Sequence, residues 1–264
     1  MEKLNFGNSR IILLILCAAL LLRIANPFFG SPALYVVPDE VLNYLATFTM
    51  IKEKTLLTTT QYPPYGSDIQ IPPLLFSFVV MRLSQHVHSL NDFLLFLSTH
   101  EGFFLFIPRV ISALFGTASL IVVYQIGKLI FPSQKQIALW ALMFSAFSIT
   151  HLQISSLGKP NMPALFFLFI GIYYLCKDLR LKSSSGKQKV LSLVFFSLGG
   201  GFHFSSFFGV ILYFLAYFVF YRKSPIFHRQ NLISFTLLII PLSFLVLLRF
   251  LSTGNYQPTF VETL

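Results

Sequence analysis

Charged residues are scarce in this 264-residue chain: Asp, Glu, Lys and Arg make up 11% of it, and only nine residues are acidic. Hydrophobic residues account for 55%, 32 residues are Phe, and the mean hydropathy is +0.75. So few charges could not cover the surface of a soluble domain of this size, which excludes that class. Apolar runs recur at close to the roughly 20 residues that span a bilayer. We therefore expect an all-α polytopic membrane protein.

Cysteine is scarce too, and both residues, Cys17 and Cys176, lie in apolar runs, so we expect free thiols. The sequence has no metal-ligand spacing, no Gly-rich phosphate loop and no Ser-His-Asp order that would support a site. Neither a divalent metal nor another cofactor is expected. The net charge of +10 fits basic cytoplasmic loops and contact with anionic lipid heads. Membrane lipids are the expected partners and nucleic acid is not.

The apolar runs and the basic loops together predict about seven transmembrane helices with the amino terminus inside. Basic residues crowd the loops at 177–189 and 222–229, which places both loops in the cytoplasm. This alternation holds only if Pro72–Leu83 does not cross, and its length of roughly 18 Å is too short to do so. We expect an interfacial helix there. The predicted spans are Ile11–Ala25, Leu105–Gly127, Ile137–Leu152, Pro163–Cys176, Val190–Phe204, Ser206–Tyr221 and Leu232–Leu251.

This topology predicts a single membrane domain with one long external loop. Residues 1–29 hold the first span and anchor, 30–101 the external loop with its interfacial helices, 102–251 the remaining spans, and 252–264 an external tail. The loop contains six of the nine acids: Asp39, Glu40, Glu53, Asp68, Asp92 and Glu101. Any chemistry is therefore expected on the outer face.

Two of these acids, Asp39 and Glu40, are adjacent and follow Pro38. One interpretation is a helix start, because proline at the first position and acids in the first turn favour the helix dipole by about 0.3–1 kcal/mol. The other is a general base at the membrane surface, where partial desolvation raises the pKa of a carboxyl group into a useful range. The residues alone leave both open.

The order of motifs resembles a known family. An external loop opening with "PDE", then a "PP-L" segment, then "FLFIPRVISALFGTASLIVVYQIGKLIF" is similar to the polyprenyl-phosphate-dependent glycosyltransferases of the C-type membrane fold. These include the protein O-mannosyltransferases and the aminoarabinose and lipid-A-modifying transferases. The similarity runs from about Ile11 to Arg222. It implies an inverting glycosyltransferase of the plasma membrane that moves a sugar from a polyprenyl phosphate to a glycan, lipid or protein acceptor outside.

The resemblance also implies roles for the acid pair and for outer-face cations. Asp39 corresponds to the base of the family, and Glu40 beside it would orient the base or contact the acceptor. A lipid-phosphate donor needs cations, and Lys159 is the first candidate, although it could instead anchor a span at the interface. Arg109 could pair with Glu101 or face the phosphate. His203 could replace a family cation or be a packed histidine.

Two departures from the family pattern keep other functions open. Asn161 stands where the family has a second acid, and an amide can hydrogen-bond a hydroxyl but cannot act as a base. The sequence ends at Leu264, soon after the seventh predicted span, whereas family members continue, so we expect a truncated chain. The alternatives are a non-catalytic carrier or flippase for lipid-linked sugars, and an inactive truncated homologue. Acids in an external loop favour catalysis, since a carrier more often places charges within its spans.

Overall fold

The computed structural model describes residues 6–25, 38–54, 68–181, 187–203, 206 and 208–221. Within these ranges the chain is helical and contains no strand. The helices are α1 (Phe6–Ile24), α2 (Pro38–Glu53), α3 (Ile71–Leu83), α4 (Leu90–Thr99), α5 (Glu101–Ile130), α6 (Lys135–Phe147), α7 (Ile149–Ser156), α8 (Asn161–Leu181), α9 (Lys187–Phe202) and α10 (Phe208–Tyr221).

The protein is a helical membrane protein. Two stretches of helix in the described residues, Leu105–Ile130 and Asn161–Arg180, are long and apolar enough to cross a bilayer. The consecutive helices α6 and α7 meet the same requirement together but are bent by 56° at their junction, so they form either a broken span or a re-entrant loop. This gives two or three candidate crossings, and the predicted count of seven is not confirmed. The last predicted span, Leu232–Leu251, lies outside the described residues.

The bend corrects one detail of the predicted topology. The sequence predicts a single span over Ile137–Leu152, whereas the chain leaves α6 at Phe147 and starts α7 at Ile149. Ser148 has an extended backbone at this junction, and its hydroxyl group accepts a hydrogen bond from the amide of His151. The apolar run continues across the junction, so hydropathy alone gave no sign of the change in direction.

Two buried clusters hold the bundle together. In the first, Ile15 and Ala19 of α1 pack against Leu120 of α5 and against Leu142 and Ala146 of α6. In the second, Leu175 of α8, Leu193 and Phe196 of α9, and Tyr213 of α10 are packed together.

Glycines let these helices approach closely. The ring of Phe196 fits between Gly171 and Gly209, where an added Cβ atom would lie 2.4 Å from a ring carbon. A Cβ atom on Gly199 would lie 3.1 Å from the carbonyl oxygen of Ala164. Close helix packing of this kind is the role expected of small residues in membrane helices.

The three short helices of the predicted external loop pack on one another and on α5. Their shared core contains Ile51 of α2, Leu74 of α3, Val87 between helices, Phe93, Leu94 and Leu97 of α4, and Ile107 of α5. Ser89 caps α4 by accepting a hydrogen bond from the amide of Asp92. Hydrogen bonds from Ser89 and from the amide of His88 lower the pKa of Asp92 below its usual value. This small core packs the second half of α2 against the start of α5.

Candidate active site

The Glu40 carboxylate forms a buried ion pair with the guanidinium of Arg109. Arg109 Nη2 lies 2.7 Å from Glu40 Oε2, and Nε lies 3.1 Å from Oε1, so the contact is bidentate. The two side chains are 2% and 3% exposed. Two charges removed from water this completely need each other, because an unpaired ion at such a site is strongly unfavourable. The pair therefore joins the first turn of α2 to the third turn of α5.

A third group reaches the same carboxylate from the loop between α7 and α8. The amide of Gly158 donates a hydrogen bond to Glu40 Oε1. A Cβ atom at this position would lie 2.9 Å from Cβ of Pro108 and 3.3 Å from Glu40 Oε1. A side chain would thus force the loop away from α5. Glycine is required for the close approach, and sequence analysis had assigned no role to Gly158.

Asp39 lies in the first turn of α2, immediately before Glu40, as the Pro38 helix start predicts. Its side chain lies outside the part of the protein that the structure describes. The position of its backbone is nevertheless fixed, because the neighbouring Glu40 is held from two sides. The backbone of Asp39 therefore lies next to the place where α2, α5 and the 157–160 loop meet.

The loop that carries Lys159 is fastened at the same place. The hydroxyl group of Ser112, one turn along α5 from Arg109, donates a hydrogen bond of 3.2 Å to the carbonyl oxygen of Lys159. The amide of Gly158 binds Glu40 at the preceding residue. The backbone of Lys159 therefore lies beside the acid pair, as the prediction of a shared site requires. Asn161 begins α8 two residues later and is partly exposed.

His203 follows the last residue of α9, in a turn that packs against the start of α8. Its amide donates to the carbonyl oxygen of Gly199, and its own carbonyl oxygen accepts from the amide of Ser206. The Ser206 hydroxyl group then donates to the carbonyl oxygen of Ala164 at 3.3 Å. Since Ala164 lies one turn from Asn161, the His203 turn and Asn161 are at the same end of the bundle. These contacts relate the two segments through the backbone, and a ligand shared by His203 and Asn161 stays a prediction.

Arg109 has a partner that the sequence did not suggest. The sequence predicts Glu101 or the donor phosphate as its partner, whereas the structure places Glu40, 69 residues away along the chain, on two of its guanidinium nitrogens. The Glu101 side chain lies outside the described part of the protein. An arginine engaged in this way has less of its charge available for a phosphate.

A second buried polar group was also missed. Arg23, near the end of α1, contacts His151 of α7, which contacts Ser119 of α5. An arginine at the end of an apolar run is usually an interfacial anchor, so its sequence position gave no indication of a buried network. Among the described residues, no group of three or more His, Cys, Asp or Glu side chains could hold a metal ion.

Comparison with known proteins gives one match. Residues 93–249, more than half of the chain, match the family model of the dolichyl-phosphate-mannose-protein mannosyltransferases. The match includes α5 with Arg109, the bent α6–α7 pair and the loop with Gly158 and Lys159, whereas the acid pair of α2 precedes it. No curated protein and no solved structure matches the chain significantly.

Proposed function

The chain belongs to the dolichyl-phosphate-mannose-protein mannosyltransferase family, and on that premise we propose that it transfers a sugar from a polyprenyl-phosphate donor to a hydroxyl group at the outer face of the plasma membrane. Membership of this family implies a membrane glycosyltransferase. The donor and the role of the acid pair are inferred from the family resemblance, and the side of the membrane is inferred from the basic loops of this chain. The observation that carries the inference is the junction at Glu40, which holds the only adjacent acid pair of the sequence against the Lys159 loop.

Asp39 is the general base in this proposal. Its carboxylate takes the proton of the acceptor hydroxyl group while the hydroxyl oxygen forms a bond to the anomeric carbon of the sugar. The bond from that carbon to the phosphate oxygen breaks, and the polyprenyl phosphate leaves with the bonding electrons. Attack opposite to the leaving group inverts the anomeric configuration. A base of this kind contributes about 100- to 10,000-fold in rate.

Glu40 has a different role from its neighbour. A carboxylate that accepts two hydrogen bonds from a guanidinium and one from a backbone amide has most of its acceptor positions occupied. It is also buried, so an acceptor cannot reach it easily. Glu40 therefore positions Asp39 by holding the first turn of α2, and it is not the base.

Lys159 is the cation assigned to the donor phosphate. Its backbone is fixed beside the acid pair by Ser112 and by the adjacent Gly158, and an ammonium group binds phosphate as a point charge. Arg109 is already paired with Glu40, so its positive charge is largely balanced. Asn161, at the start of α8, is assigned a hydrogen bond to an acceptor or sugar hydroxyl group, in place of the second acid that the resemblance implies at this position.

The test separates a transferase from a carrier. Membranes containing the full chain are incubated with radiolabelled mannosyl phosphoryl polyprenol, and both the labelled product and the free polyprenyl phosphate are measured. A transferase forms the two in equal amounts, and Lys159→Met raises the donor KM, while Lys187→Met on the predicted cytoplasmic side does not. Movement of intact donor across the membrane without release of polyprenyl phosphate would identify a carrier. Absence of both would identify an inactive homologue.

A further inference from the structure

Arg23 is almost completely buried, with 1% of its surface exposed. Its Nη1 donates to the carbonyl oxygen of Ala19 at 2.7 Å, and its Nη2 lies 3.4 Å from the carbonyl oxygen of Ala146 and 2.7 Å from His151 Nδ1. A guanidinium buried inside an apolar helix bundle is energetically expensive, and such residues usually serve a purpose. The partners of Arg23 indicate that purpose.

The hydrogen bonds define the protonation state of His151. The Ser119 hydroxyl group donates its only hydrogen to the carbonyl oxygen of Gly116 at 2.7 Å, so its oxygen must accept from His151 Nε2, 3.0 Å away. The imidazole then carries its hydrogen on Nε2, and Nδ1 is free to accept from Arg23. A proton on Nδ1 would face the guanidinium directly. The series of hydrogen bonds that runs from Arg23 through His151 and Ser119 to Gly116 therefore requires a neutral imidazole ring on His151.

The same contacts lie at the 56° bend between α6 and α7. In a continuous helix the carbonyl oxygen of Ala146 would accept from the amide four residues later, and the break at Ser148 removes that partner. An unsatisfied carbonyl group at membrane depth costs several kcal/mol. Arg23 supplies a donor to this oxygen and at the same time binds the first turn of α7 through His151. It therefore compensates the break and sets the direction of α7.

The direction of α7 determines where the candidate active-site loop lies. Ser155, near the end of α7, is fully buried against Gly116 of α5, where an added Cβ atom would lie 2.5 Å from Ser155 Cβ. Three residues later Gly158 binds Glu40. A rotation of α7 about the bend would thus move Gly158 and Lys159 away from the acid pair.

We propose that Arg23 is a positioning residue that holds the broken α6–α7 pair in its bent form and so places the Gly158–Lys159 loop at the acid pair. It touches neither donor nor acceptor. The statement about the bend stands on the contacts of Arg23 alone, and the consequence for sugar transfer rests on the proposed function.

The first arm of the test measures the position of α7 without any activity. In the full chain with Cys17→Ser and Cys176→Ser, Ser155→Cys should react slowly with N-ethylmaleimide, whereas Gln153→Cys, exposed on the same helix, should react readily. Arg23→Met should raise the rate at Ser155→Cys about tenfold or more, because the carbonyl and imidazole groups left without donors disfavour the docked helix. Arg82→Met removes an exposed arginine of α3 and should leave the rate unchanged.

A second variant guards against failure to fold. His151→Leu removes the acceptor from the α7 side and leaves the bonds of Arg23 to Ala19 and Ala146 possible, and it should also expose Ser155→Cys. Unchanged protection in folded Arg23→Met or His151→Leu protein would overturn the proposal.

The second arm measures transfer. Arg23→Met should raise the donor KM several-fold, because Lys159 is displaced, and Arg23→Lys should restore part of the loss. A variant that is only less stable would reduce the amount of active enzyme without changing the donor KM, and that result would also overturn the positioning role. If wild-type chain transfers no sugar, the proposed function fails, and the labelling arm still decides the proposal on the bend.

Discussion

At the scale of single residues, the proposed mechanism gives the two adjacent acids different roles. Both residues follow Pro38, and a helix start alone would explain them. A helix start does not account for all the contacts of Glu40, because its side chain is buried and binds groups on two other segments of the chain. The side chain of Asp39 lies outside the described part of the protein, and its role as base is proposed from the family resemblance. The structure therefore supports Glu40 as a positioning residue and leaves Asp39 as the proposed base.

The Glu40–Arg109 pair can be tested by a double-mutant cycle. Glu40→Gln and Arg109→Gln should each destabilise the protein by about 3–5 kcal/mol, because each leaves the other charge buried and unpaired. The double variant should lose clearly less than the sum of the two. The measurement is denaturant-induced unfolding in detergent micelles, with Arg82→Gln as an exposed control expected to change stability by less than about 0.5 kcal/mol. Additive losses in the double variant would show that the pair is not coupled.

Sequence reasoning located the acid pair but could not find its partners. Arg109 lies 69 residues from Glu40, Gly158 lies 118 residues away, and Arg23 and His151 are 128 residues apart. Hydropathy gives the depth of an apolar segment and does not tell which side chains of distant segments meet. Helix starts are easier to predict from the sequence, because Pro38 and the Pro72–Pro73 pair fix the local backbone geometry.

At the scale of elements, α3 is notable for its uncovered apolar face. Leu74 is 1% exposed and packs in the core with α4 and α5, whereas Leu75, Phe76, Val79, Val80 and Leu83 are 45–80% exposed. The helix has 13 residues, about 20 Å of helix, which is too short to cross a 30 Å hydrocarbon layer. An exposed face of this kind on a membrane protein fits contact with lipid.

We therefore predict that α3 lies at the depth of the lipid headgroups. With Trp140 replaced by Phe, tryptophan placed at Phe76 should be quenched strongly by nitroxide-labelled lipids whose label lies near the headgroups, and weakly by those labelled at the bilayer centre. Tryptophan at Leu74, buried against α4, should be quenched little by either. Equal quenching of the Phe76 position at all depths, or maximal quenching at the bilayer centre, would contradict an interfacial helix.

The bent pair α6–α7 shows the limit of predicting elements from hydropathy. Ile137–Leu152 forms one continuous apolar run, and a run of this kind predicts one straight span. The bend depends on Arg23 from α1 and on the Ser148 cap. A side chain from another helix compensates the broken hydrogen bonds, so the bend cannot be read from the local sequence.

At the scale of the whole molecule, the residues of the candidate site meet at one end of the bundle, whereas Lys128, Lys135 and Arg180 lie at the other. One end contains Arg109 near the start of α5, Gly158 in the loop before α8, and Asn161 as the first residue of α8. At the other end, Arg180 near the end of α8 donates a hydrogen bond to the carbonyl oxygen of Leu129 near the end of α5. An excess of Lys and Arg marks the cytoplasmic side. This arrangement supports the proposal that the site faces outward.

Cysteine labelling in intact cells tests that orientation. In the full chain without its native cysteines, an impermeant maleimide should react with cysteine at Thr59, in the predicted external loop, and should fail to react with cysteine at Ser184, in the basic loop. Lysed cells should allow both to react. Labelling at Ser184 but not at Thr59 in intact cells would invert the topology and place the acid pair inside.

The central claim is that Asp39 is the base of a sugar transfer from a lipid phosphate, and one comparison tests it most directly. Asp39→Asn retains the shape of the side chain and an oxygen able to cap a helix, so a structural role predicts a loss of at most about 1 kcal/mol and near-normal turnover. The proposed role predicts that the folded variant loses about 100- to 10,000-fold in kcat for transfer from mannosyl phosphoryl polyprenol. Asp92→Asn, an exposed acid in the same loop, should keep wild-type turnover. Asp39→Asn enzyme that works within a few-fold of wild type would contradict the account.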